Sequence, residues 1–226
     1  MIDMKILVVG SSGRFGATLL NLFKGNGHEV RGVDIQDYGK LKEEMKIAEF
    51  IFLAVPASVA LGIINEFGAT GKIIEISSSK NPFKKFAGKI ISIHPLFGPL
   101  SLDDLKLRNI LFINDISFLG SENIISALFP GYNIIPMKSD EHDHLMIELQ
   151  VIPYVISMLS SRISSKTELK TRSRIILDQM SDVYSLQGSL TLLDTIRLNP
   201  FSKDAIETVS KTIDDLRGEI FDNNTK

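Results

Sequence analysis

VVGSSGRFGATLL occupies residues 8–20: two valines close an apolar run, glycines follow at 10, 13 and 16, and an amphipathic stretch begins. Glycine at these places permits a tight turn, brings backbone close to a pyrophosphate, and lets the next helix pack on the strand it left. The helix N-terminus then offers N–H groups to an anion. A glycine triplet alone is weak evidence, and its surroundings strengthen it. KILVVG before it has the aliphatic continuity of a buried parallel strand, GNG at 25–27 suits a helix stop, and HEVRGVD supplies a second strand ending in Asp34. A carboxylate there can accept hydrogen bonds from ribose hydroxyls and repel a 2′-phosphate. The expectation is a dinucleotide site of Gly10, Ser11, Gly13, Arg14, Phe15, Gly16 and Asp34, with Val55 and Pro56 at the end of the run FIFLAVP beside it. NAD is favoured over NADP, although Arg14 or Arg31 could instead serve a phosphate.

Outward from this turn, short apolar runs alternate with amphipathic ones as far as Met137: FIFLAVP, SVALGIINEF, KIIEIS, KIISIH, NILFIN, NIISALF and YNIIP. Such alternation predicts a doubly wound α/β domain with a mainly parallel sheet over residues 1–137. After Pro136 the segments lengthen to helices, with Ser139, Asp140 and Glu141 as an acidic helix start. Residues 138–226 are therefore expected to form an all-α unit.

Bulk composition narrows the partners. The 226 residues carry a formal net charge of −2, which leaves no electrostatic footprint for nucleic acid or an anionic membrane surface. A small molecule or a second copy of the chain is the expected partner. With no cysteine there are no disulfides, thiolate nucleophiles or cysteine metal sites, as suits a reducing cytoplasm. No apolar run approaches the roughly 18 residues that span a bilayer. The opening MIDMKILVVG lacks a basic leader region and reads as a strand.

Residues 91–99, ISIHPLFGP, raise a chemical question. A residue before proline is pushed into extended geometry, so His94 is held at the very end of its strand. In open α/β sheets ligands lie outside the carboxyl ends of the strands, where an imidazole with a pKa of about 6.5 can take a proton from a hydroxyl. Phe97-Gly98-Pro99 forms a turn that could wall such a site.

Four segments together resemble the prephenate dehydrogenases, and more broadly the arogenate and cyclohexadienyl dehydrogenases of tyrosine biosynthesis. They are VVGSSGRFG, ISSSKNP at 76–82, HPLFGP at 94–99 and EHDHLMIELQVIPY at 141–154, in the family's order. The resemblance implies NAD-dependent oxidative decarboxylation of prephenate to 4-hydroxyphenylpyruvate. His94 would accept the proton of the ring hydroxyl, and Ser78 would orient histidine, hydroxyl and nicotinamide. Lys80, Gly98, His142, Gln150 and Tyr154 would contact substrate, and the helical unit would form a homodimer.

The chain departs from the pattern in places. Histidines common in the family are replaced by Gln150 and Tyr154. An arginine expected to hold the ring carboxylate falls, along VYSLQGSLTLLDTIRLNP, on leucine, aspartate or threonine, with Arg197 about one turn further on. Arg172 and Arg174 are also available. Glu141, His144 and Glu148 share a helix face, but no second Glu-x-x-His motif accompanies them, so no metal is expected. Open alternatives are arogenate as substrate, a β-hydroxyacid or imine-type dehydrogenase, and a non-catalytic NAD sensor.

Overall fold

The structure, a computed structural model, describes residues 3–98, 104–163, 168–187 and 189–221. It divides into two compact units, Met1–His142 and Asp143–Lys226.

The first unit is built on a seven-stranded sheet in the order β2-β1-β3-β4-β5-β6-β7. The strands are β1 (Lys5–Val9), β2 (Glu29–Val33), β3 (Phe50–Leu53), β4 (Ile73–Glu75), β5 (Ile91–Pro95), β6 (Asn109–Ile113) and β7 (Asn133–Met137). All neighbours run parallel except β5 and β6. Between those two strands the described residues hold one short 3-10 turn, Leu105–Leu107, and β6 pairs antiparallel to β5. The mainly parallel sheet expected from the aliphatic runs is therefore present.

Helices α1 (Arg14–Gly25), α2 (Leu41–Ile47), α3 (Ala57–Phe67) and α4 (Ser121–Leu128) flank it. In α1, Leu19 and Phe23 recur at the four-residue spacing of one helix face, and both are fully buried. Phe23 lies between Phe52 of β3 and Phe129, with ring centroids 4.7 and 5.2 Å away. Around them Ile6, Val8, Ile74, Ile91, Ile93, Ile110 and Phe112 complete a continuous core. This core fixes the strand ends that carry polar chemistry.

The second unit is helical. Helix α5 (Ser139–Met146) begins in the sheet unit and crosses into it, so the first turn of α5, with His142, counts with the sheet. A π-helical turn (Ile147–Val151) leads to α6 (Ile152–Ile163), followed by α7 (Arg172–Gln187), α8 (Ser189–Leu198) and α9 (Ser202–Phe221). The N–H of Ile152 bonds the carbonyl of Ile147, five residues back. Met146 and Val151 are both fully buried, and Tyr154, Ser157 and Ser160 continue the buried stripe. In an unbroken α-helix, five residues would rotate Val151 roughly 140° from Met146; the wider turn keeps them on one side.

Within the helical run Ser139–Ile163 an 18-residue window reaches a mean hydropathy of 1.2, enough by length and composition to cross a membrane. Asp140, Glu141, Asp143 and Glu148 interrupt it.

Candidate active site

The carboxyl ends of β1, β3, β4 and β5 lie at the same edge of the sheet unit, because these strands are parallel. The glycine turn follows β1. Gly10 has φ +84°, a left-handed value, and its N–H bonds the Val33 carbonyl at 2.8 Å. A methyl group at Gly10 would lie 2.4 Å from the Ala54 carbonyl oxygen and 2.8 Å from Val55 Cγ1, and one at Gly16 would lie 2.0 Å from the Gly10 carbonyl oxygen. Helix α1 has no acidic side chain in its first turn, which suits an anion at its N-terminus. Pro56 caps α3 beside this turn, and Ser11 rests its side chain over Gly32 of β2. Arg14 is exposed, and Phe15 is half-buried against Phe97, ring centroids 5.6 Å apart.

Asp34 sits at the end of β2. Its two carboxylate oxygens accept from the N–H groups of Ser12 (2.8 Å) and Ile35 (2.7 Å). Partial burial pushes its pKa up, but the hydrogen bonds from Ile35 and Ser12 outweigh this and leave it below the usual carboxylate value. The carboxylate therefore stays ionised, ties the second strand to the glycine turn, and keeps lone pairs for a ribose. These residues fit the dinucleotide that the sequence predicts.

Ser78 and His94 meet at the ends of β4 and β5. Ser78 Oγ is 3.2 Å from His94 Nε2. The other ring nitrogen, His94 Nδ1, is 2.9 Å from Nε2 of His142. His142 is placed by α5, whose start is anchored when the Ser139 hydroxyl and N–H donate to Asp115 at 2.6 and 2.8 Å. Burial holds the His94 pKa well below the ordinary 6.5, and the neighbouring His142 and the Lys80 charge push it the same way. Burial, then Lys80, bring His142 down to about 2. Both imidazoles are neutral at pH 7.

Beneath this pair lies a residue the sequence reading missed. Glu75, the last residue of β4, is fully buried. Its Oε1 accepts from Lys80 Nζ at 2.7 Å and from the Ser92 hydroxyl, and its Oε2 accepts from the Ser77 N–H at 2.9 Å. Lys80 Nζ also donates to the carbonyl of Ile93, at 2.7 Å. One carboxylate thus grips the turn that carries Ser78 and the strand that carries His94. A charged residue inside the apolar run KIIEIS was the available signal.

Two expectations are corrected here. Lys80, expected to contact substrate from a loop, has a side chain with 0% exposure, paired to an equally buried Glu75; a buried ammonium needs such a counter-charge. His142, expected at the substrate, is fully buried and bonded behind His94. Phe97 is 4% exposed and packs against Phe129 and Tyr132, and Gly98 follows it half-buried, while Pro99 lies outside the described residues.

Gln150, Tyr154 and Arg197 belong to the helical unit. Gln150 lies in the π-helical turn, half-buried. Tyr154 is 8% exposed, and burial raises the pKa of its hydroxyl. Arg197 is exposed in the last turn of α8, whereas Leu192, Asp194 and Thr195 of the same helix are buried.

The sheet order, the glycine turn and the polar strand ends define a Rossmann-type dinucleotide-binding fold followed by a helical unit. Solved structures of prephenate and arogenate dehydrogenases share that fold. The prephenate dehydrogenase of A. aeolicus, in complex with hydroxyphenyl propionate and NAD+, superposes with a TM-score of 0.71 at 12% identity, covering 97% of this chain and 91% of that one. The arogenate dehydrogenase of Synechocystis gives 0.63 at 16% identity, covering 98% and 94%. In sequence, the chain is 20% identical over 256 aligned positions to the T-protein of Haemophilus influenzae, and it spans 63% of that protein's length. No protein-family profile matches the sequence.

Proposed function

We propose that the chain is an NAD-dependent dehydrogenase that converts prephenate to 4-hydroxyphenylpyruvate. The observation that carries this reading is the Ser78–His94 pair at the carboxyl ends of β4 and β5, at the same sheet edge as the glycine turn and Asp34. The likeness to solved prephenate dehydrogenases supports it.

Gly10, Gly13, Gly16, Asp34, Val55 and Pro56 would hold NAD, which when bound supplies the acceptor for hydride from the hydroxyl-bearing ring carbon. His94 Nε2 receives the hydroxyl proton while that carbon gains carbonyl character. The bond to the ring carboxylate then breaks, its electron pair completes the aromatic ring, carbon dioxide leaves, and the phenolic oxygen takes its proton back. Ser78 donates to or accepts from the same oxygen and holds it in line with His94. Aromatisation supplies the drive, so the protein chiefly has to align groups and lend one base.

Arogenate is the second reading, supported by the likeness to the Synechocystis enzyme. Mixing the purified protein with NAD and either substrate, and following NADH absorbance, separates the two. Replacing NAD by NADP tests the role given to Asp34, and His94→Asn should abolish turnover while NAD still binds. No turnover on either substrate would overturn the reading.

The exposed apolar side chains Leu149, Ile156, Leu159 and Ile163 of the helical unit, with Ile206, Ile213 and Ile220 at seven-residue spacing on α9, support a homodimer formed through that unit. Light scattering of the purified chain at twice the monomer mass would bear this out.

A further inference from the structure

We propose that His142 is a positioning residue that fixes His94 in the tautomer carrying its proton on Nδ1, so that the Nε2 lone pair points to the reacting hydroxyl. The proposal rests on the assignment of His94 as the base.

The geometry leaves two arrangements. A single proton lies on the 2.9 Å line between His94 Nδ1 and His142 Nε2. If it belongs to His142, then neutral His94 carries its own proton on Nε2, donates it to Ser78, and has no lone pair there for a substrate. If it belongs to His94, Nε2 is an acceptor, and Ser78 Oγ at 3.2 Å or a substrate hydroxyl can donate to it. Only the second arrangement makes a base. Which nitrogen of a histidine is protonated is set by the bond the other one makes, and here that bond is made by His142.

The choice of an imidazole for this position has a chemical consequence. In serine hydrolases a carboxylate holds the equivalent nitrogen and stabilises the imidazolium that forms. His142 instead offers a neutral acceptor, near the buried Lys80 ammonium. His94 is thereby oriented without being made strongly basic. A weak base suits a reaction in which the proton must be returned to the phenolic oxygen of the product.

The test begins with the intact protein carrying 15N-histidine. Long-range 1H–15N correlation at pH 7 should show His94 with a protonated Nδ1 and an unprotonated Nε2; the reverse would overturn the proposal. The variants use side-chain reach. Glutamine places its amide oxygen where His142 Nε2 lies, asparagine is one carbon too short, and phenylalanine keeps the bulk without an acceptor. His142→Gln should preserve the Nδ1–H tautomer and recover most of kcat. His142→Asn and His142→Phe should lose the tautomer and lower kcat by on the order of 100-fold, the typical contribution of a positioned base. NAD affinity should be unchanged in all three. Equal rates in the glutamine and phenylalanine variants would refute the tautomer role. If the intact protein shows the Nδ1–H form yet turns over neither prephenate nor arogenate, the assigned reaction fails while the role of His142 stands.

Discussion

Removing either partner of the Glu75–Lys80 pair should destabilise the sheet unit strongly, and removing both together should not. Both side chains have 0% exposure, so each single substitution strands a charge out of reach of water. Breaking such a pair costs about 3–5 kcal/mol. The two ends are not equivalent. After Lys80→Met the Glu75 carboxylate keeps donors from the Ser92 hydroxyl and the Ser77 N–H, which places that variant near the lower figure. After Glu75→Gln the buried Lys80 ammonium keeps the Ile93 carbonyl but faces a neutral amide in place of the carboxylate, which places that variant near the upper one. For a chain of this size about 2–4 °C accompanies each kcal/mol, so the transition should fall by roughly 6–20 °C. The double variant replaces the charges by neutral groups of similar volume, which is commonly neutral or stabilising, and should melt above both single variants. The chain contains no tryptophan, so scanning calorimetry with far-ultraviolet circular dichroism is the practical assay. Additive losses in the double variant, or a single-variant shift under about 2 °C, would show that the pair does not carry the strand ends as argued.

The neutral histidines make stability depend on pH. The His142 pKa is about 2 in the folded chain against an ordinary 6.5, so below pH 6.5 the unfolded chain takes up a proton that the folded one refuses. Stability is full above 6.5 and falls as the pH drops toward the folded value; this one residue costs about 2 kcal/mol between pH 7 and pH 5, and His94 adds in the same direction. Urea titrations at the two pH values measure it, and a His142→Gln variant should flatten the dependence. Because His94 is already neutral, the acid limb of kcat/KM should lie below the ordinary histidine value of 6.5, and a limb at 6.5 would contradict the burial argument. Gly16→Ala, whose new methyl would meet the Gly10 carbonyl oxygen at 2.0 Å, should abolish NAD binding or unfold the turn, as calorimetric titration would show. Asp34→Ser should weaken the preference for NAD over NADP by on the order of tenfold, the worth of one charged hydrogen bond of about 1.5 kcal/mol.

The residues legible in the sequence were those whose role is local. Glycines at 10, 13 and 16 declare a turn because backbone conformation is decided within a few residues, and a proline at 95 fixes His94 at a strand end regardless of what packs around it. Asp34 was legible in the same way, although the structure adds that it also ties down Ser12. Less local features were hidden. Glu75 stands in an aliphatic run where periodicity treats it as an interruption, and its meaning appears only when β4 and β5 set it opposite Ser92. Lys80 looked like a loop residue because its counter-charge, though only five residues away in sequence, reaches it from the interior. His142 lies 48 positions from His94, and composition carries no trace of a contact at that separation. The antiparallel pairing of β6 with β5 is a matter of strand direction, which apolar runs alone do not report.

The wide turn at Ile147–Val151 reads as one residue more than an α-helix would use to join Met146 to Val151 on the buried side. Deleting a single position within it would restore ordinary winding and leave Met146 and the present Val151 four residues apart, roughly 40° around the axis, still on the buried side. Tyr154, Ser157 and Ser160 would keep their place in the stripe that encloses them, and the outward leucines and isoleucines would stay outward. The wide turn is thus the one stretch of the helix with a residue to spare, whereas a one-codon loss inside α6 would turn every later side chain roughly 100° out of register.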